Sequence, residues 1–128
     1  MHVVTTYNLI TVDITLQKGV TILCGDSGTG KTLLMGAVEL FCLENNIACK
    51  LLNYRQRDES EELLVQSCED VEVVLIDNAD LFITQSLLDR LDGKYVVVSL
   101  KDLSKVNTMN VTECEVNYSD RKVTLEVL

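Results

Sequence analysis

The stretch VTILCGDSGTGKTLLMGAV, Val20 to Val38, decides how this chain is read. Its first five residues are mostly apolar and predict a buried strand. From Thr32 the period changes. Leu34, Val38, Phe41 and Cys42 recur at helical spacing, with Glu39 and Glu44 off that face, which predicts a helix ending near Asn45-Asn46. Between strand and helix lies GDSGTGKT. Gly25, Gly28 and Gly30 allow backbone angles that side chains forbid, so successive amide N–H groups can turn toward one point. A helix opening at Lys31 aims the positive end of its dipole at the same place. Lys31 offers a cation for terminal phosphate oxygens, and Thr32 a hydroxyl for a magnesium ion. The expected phosphate-binding set is Gly25, Asp26, Ser27, Gly28, Thr29, Gly30, Lys31 and Thr32.

Outward from this centre, ITVDITLQ places Ile10, Val12, Ile14 and Leu16 on one face and polar residues on the other, the mark of a half-buried strand. Lys18-Gly19 marks a turn before VTILC. Downstream, ACKLLNY predicts a strand, SEELLVQSC a short helix and VEVVLID a buried strand. ADLFITQSLLDRLDG predicts one helix closed by Gly93, KYVVVSL another buried strand and KDLSKV a single helical turn. ECEVNYSDRKVTLEVL predicts two alternating strands about Ser119-Asp120-Arg121. Apolar strands alternating with helices imply an α/β fold with a mainly parallel sheet covered on both faces. The 128 residues contain no repeat, linker or proline and fit a single domain.

Composition narrows the function classes. The chain is 47% hydrophobic and 24% charged, which suits a globular protein in water. It holds no apolar run of about 18 residues that could cross a bilayer and no N-terminal signal pattern, so the expected location is cytoplasmic. A net charge of −9 works against nucleic-acid binding. Much of that acidity lies in RDESEELLVQSCEDVE and predicts a solvated helix face. Five cysteines without CxxC spacing predict small buried hydrophobes rather than a disulfide framework or zinc site. The lone His2 is expected to be an exposed polar residue at a flexible start, which excludes a histidine-based triad.

GDSGTGKT fits G-x-x-x-x-G-K-[ST], the P-loop or Walker A pattern. LQKGVTILCGDSGTGKTLLMGAV resembles the opening of a P-loop NTPase, particularly the ATP-binding cassette proteins and other ATPases of the additional-strand class. VEVVLID is similar to the Walker B strand of that superfamily. The resemblance implies that Asp77 orients magnesium and that Ser99 and Lys101, at the end of VVVSLKDL, touch the terminal phosphate. It also implies a three-layer sandwich with the Ser99 strand between the P-loop and Walker B strands, and antiparallel strands at the N- and C-terminal ends. Residues 1–128 would form one minimal nucleotide-binding domain. ATP is expected over GTP, since the Asn-Lys-x-Asp pattern of GTPases is absent.

The pattern departs from that family beside Asp77, and the accessory helical subdomain and lid of its specialised members are missing. The residue after Asp77 is Asn78, where many members carry a glutamate that polarises the attacking water. An amide positions water but accepts no proton. Asp58 and Glu59 in NYRQRDES are candidate substitutes, and Asp80 is a third, although it can equally cap the helix expected there. Arg55 and Arg57 are candidates for neutralising charge on the transferred phosphate, or they pair with the acidic run. The expected catalytic set is therefore Lys31, Asp77, Asn78, Asp58 and Glu59, with Thr32 and Asp77 facing the metal. Two functions fit: a magnesium-dependent ATPase that is slow or stimulated by a protein partner or a second copy, and a nucleotide-dependent binding module. A small-molecule phosphotransferase fits less well, because no insertion carries a lid.

Overall fold

The computed structural model describes residues 1–25, 30–107 and 110–128. The strands are β1 (His2–Tyr7), β2 (Ile10–Thr15), β3 (Gly19–Cys24), β4 (Cys49–Leu52), β5 (Val73–Ile76), β6 (Tyr95–Ser99), β7 (Val111–Ser119) and β8 (Lys122–Val127). Among the described residues three helices, α1 (Lys31–Glu44), α2 (Glu61–Ser67) and α3 (Gln85–Arg90), alternate with them. Short 3-10 turns occupy Tyr54–Gln56, Ala79–Leu81 and Leu103–Lys105.

All eight strands join one sheet in the order β1-β2-β8-β7-β3-β6-β5-β4. Among the described residues five of the seven pairings are parallel, and β1–β2 and β7–β8 are antiparallel. The expected antiparallel terminal strands are therefore present. Both pairs lie on the same side of β3, joined by a short parallel contact between β2 and β8. The sheet curls into a half-barrel.

Neighbouring residues of the central strands go to opposite faces, which is why these strands read as uniformly apolar. Leu23, Leu75 and Val97 pack beneath Leu34, Val38 and Cys42 of α1 on one face. Ile22, Val74, Ile76, Val96 and Val98 pack on the other against Leu64 of α2 and Leu87 and Leu88 of α3. The curl brings Val3 of β1 and Val12 and Ile14 of β2 into the α1 core. Tyr7 approaches α1 so closely that a Cβ at Gly36 would lie 3.0 Å from its hydroxyl oxygen.

Two expectations are corrected. His2 is exposed but belongs to strand β1 and lies 2.7 Å from Asp13, so the start of the chain is not a flexible tail. Residues 79–93 do not form one helix. Thr84 is extended and its hydroxyl accepts the Leu87 N–H at 3.1 Å, beginning α3 afresh after the 3-10 turn. The acidic run is solvated along most of its length, as expected, and part of it also pairs across helices. Arg90 of α3 grips both oxygens of Glu62 at 2.6 and 3.0 Å and reaches Glu61 at 3.2 Å, tying α3 to α2.

The two hairpins use two-residue turns in which both residues have positive φ, Asn8-Leu9 and Asp120-Arg121. Their hand matches the twist of the flanking strands. All five cysteines are free, with Cys42, Cys68 and Cys114 buried. Among the described residues no helix is long and apolar enough to cross a membrane.

Candidate functional site

β3, β5 and β6 run parallel, so their C-terminal ends share one edge of the sheet, where open α/β sheets commonly form a ligand crevice. β3 leaves through Gly25 at φ 107°, and α1 is entered through Gly30 at φ 94°, both in the left-handed region. Gly30 supplies no side-chain cap, and the first turn of α1 carries no acidic residue. The positive end of the helix is thus left to whatever lies in front of it.

Lys31 is buried, and its ammonium donates to the Gly25 carbonyl at 2.5 Å. Thr32 is exposed, and its hydroxyl donates to Asp77 Oδ2 at 3.1 Å. Asp77 follows β5 directly and is anchored by its own N–H, which donates to the Leu52 carbonyl at 2.9 Å. These groups open on a cleft of about 310 Å³ lined by Gly30, Lys31, Thr32, Leu33, Asp77, Asn78, Asp80, Ser99 and Lys101. One cleft therefore holds Lys31, Thr32, Asp77 and Asn78 together with Ser99 and Lys101 from the end of β6. Asp26, Ser27, Gly28 and Thr29 lie outside the described residues.

Asp58 and Glu59 are not brought into this lining. Both are exposed beyond the turn Tyr54–Gln56, with Asp58 3.9 Å from the Arg57 guanidinium. Arg57 also donates to the Tyr54 carbonyl at 3.2 Å, so it is engaged locally, in line with pairing to the acidic run. Arg55 is exposed on the same turn.

Asn78 has φ 52° and ψ 47° and is exposed. Asparagine tolerates the left-handed region better than most residues, which gives this amide a backbone reason to be here. Asp80 does not cap its own helix: it lies inside the turn Ala79–Leu81, and it lines the cleft. Its carboxylate accepts the Lys101 N–H at 3.0 and 3.2 Å and the Asp102 N–H at 2.9 Å, while Lys105 donates to its carbonyl. Burial opposes its ionisation, but these N–H groups and the Lys105 charge outweigh burial and hold the carboxyl below the usual aspartate range. Sequence reasoning had no signal for this contact, because Asp80 and Lys101 lie 21 positions apart.

No protein-family model matches the chain, and a search of curated proteins returns no significant match.

Proposed function

We propose that this chain is a P-loop NTPase of the additional-strand class: a magnesium-dependent ATP-binding protein with slow or partner-stimulated hydrolysis. One observation carries the reading. The Thr32 hydroxyl meets the Asp77 carboxylate at 3.1 Å, beside the buried Lys31 at the mouth of α1. The strand order β3-β6-β5, with the Ser99 strand between the other two, supports the class.

The donor set suits magnesium. A hydroxyl and a carboxylate are hard oxygen ligands, and magnesium keeps water and substrate phosphates around few protein groups. Thr32 and Asp77 would hold it, and it would supply charge neutralisation between phosphates. Lys31 would leave the Gly25 carbonyl for phosphate oxygen, exchanging a neutral acceptor for a charged one. The leading N–H groups of α1 would bind the same phosphates.

Asn78 favours a second reading, a binding module in which nucleotide occupancy shifts a surface that a partner recognises and turnover is incidental. Its exposed amide lines the cleft where the family's proton acceptor would stand, and it can orient water without accepting a proton. ATP is preferred to GTP on the resemblance and on the absence of the Asn-Lys-x-Asp pattern, and a second copy of the chain is the simplest source of a stimulating arginine. Phosphate release measured across a range of protein concentrations separates the readings. A rate per chain that rises with concentration supports an ATPase completed in trans, and magnesium-dependent binding without release supports the module.

A further inference from the structure

We propose that Asp80 is a positioning residue whose carboxylate fixes the exit of β6, so that Lys101 is held at the cleft to read the terminal phosphate. The proposal rests on the nucleotide reading above and assigns the ATP-versus-ADP discrimination of that site. Asp80 leaves β5 and Lys101 leaves β6, two adjacent parallel strands, so their contact joins two walls of one cleft. The carboxylate takes the Lys101 N–H on both oxygens, at 3.2 and 3.0 Å, and the Asp102 N–H at 2.9 Å. Lys105 adds a further link by donating to the Asp80 carbonyl. Asp102 in turn accepts the Ser104 N–H at 3.0 Å and its hydroxyl at 2.6 Å, which builds the turn that follows.

Lys101 itself is exposed, and among the described residues no ion pair engages its ammonium. A lysine on a free loop loses much freedom when it binds phosphate. Fixing its backbone beforehand lowers that cost. On a chain of net charge −9, an extra phosphate is favoured only where a local cation meets it. Lys31 opens α1 on the same cleft, so a second cation at the exit of β6 provides for charge beyond the diphosphate.

The test titrates ADP and adenylyl-imidodiphosphate, each with magnesium, into wild type, Lys101→Ala and Asp80→Asn. Wild type is expected to prefer the triphosphate analogue by about tenfold, the worth of one charge-assisted hydrogen bond. Both variants are expected to bring the two affinities within about twofold of each other while ADP affinity holds. A merely structural role for Asp80 would lower stability and leave the ratio untouched. An unchanged preference in either variant, or no preference in wild type, overturns the proposal. A wild type that binds neither nucleotide removes the nucleotide reading itself, and the proposal with it. Where Asp80→Asn fails to fold, Asp80→Glu carries the same comparison. Its displaced carboxylate is expected to reduce the preference, and an unchanged ratio there overturns the proposal equally.

Discussion

Thr32 and Asp77 stand 45 positions apart, yet the hydroxyl of the first donates to the carboxylate of the second at 3.1 Å. The contact joins the first turn of α1 to the end of β5. It depends on two parallel strands, β3 and β5, delivering their C-terminal ends to one edge with β6 between them.

Substituting either partner removes one oxygen from the proposed magnesium pair. Thr32→Val and Asp77→Asn are each expected to weaken nucleotide binding by about tenfold with magnesium present. With the metal chelated, wild type and variants should converge. The double variant is expected to lose less than the sum of the two singles, because the residues share a ligand. Calorimetric titration with and without EDTA checks this, and equal losses under both conditions would oppose it.

Asn78→Glu places a proton acceptor next to Asp77. Phosphate release is expected to rise by about a hundredfold, within the usual range for a general base. The same change places a bulkier side chain at φ 52°, so stability is expected to drop by about 1 kcal/mol. A steady-state phosphate assay beside thermal melting reads both effects. Unchanged release in a folded variant would show that Asn78 does not set the rate.

The fold was legible where periodicity and local chemistry agree. Val73–Ile76 and Tyr95–Ser99 read as buried strands and are fully covered along nearly all their length. GDSGTGKT marked the entry to α1, and Asn45 closes that helix where expected. β1 escaped notice although VVTTY is rich in β-branched residues, because its partner strand was assigned without it. The curl of the sheet was not legible either, since the placing of Val3 and Val12 in the α1 core is a tertiary effect without a local pattern. One cleft gathers Lys31 and Thr32, singled out from spacing, and Asp77 and Asn78, singled out from the resemblance. The role of Asp80 was missed, because its donors are backbone groups of a distant loop that no side-chain pattern reveals.

The central strands carry the stability. Leu75 is fully buried in the α1 core, and Leu75→Ala is expected to cost about 2–5 kcal/mol through lost burial and a cavity. Leu63 is 54% exposed on α2, and Leu63→Ala should change stability by about 0.5 kcal/mol or less. Urea unfolding of the two variants ranks them. A similar loss in both would contradict the packing described.

The tie between α2 and α3 predicts a pH dependence. Ser86, Thr84 and Arg90 donate to Glu61 and hold its carboxyl below the usual glutamate value of 4.5, and Arg90 does the same for Glu62. Carboxyls depressed by folding contribute fully above that value, and the contribution fades as pH falls through their lower folded values. Arg90→Ala should therefore lower Tm at neutral pH, and the gap from wild type should shrink in acid. A gap that stays constant through the acid range would contradict this.

The most direct measurement of the central claim is calorimetric titration of magnesium-ATP into wild type and Lys31→Ala. Saturable binding by wild type, weakened by at least about tenfold in the folded variant, is the expected result. No binding by wild type, or equal binding by both proteins, would contradict the assignment of this cleft to a nucleotide.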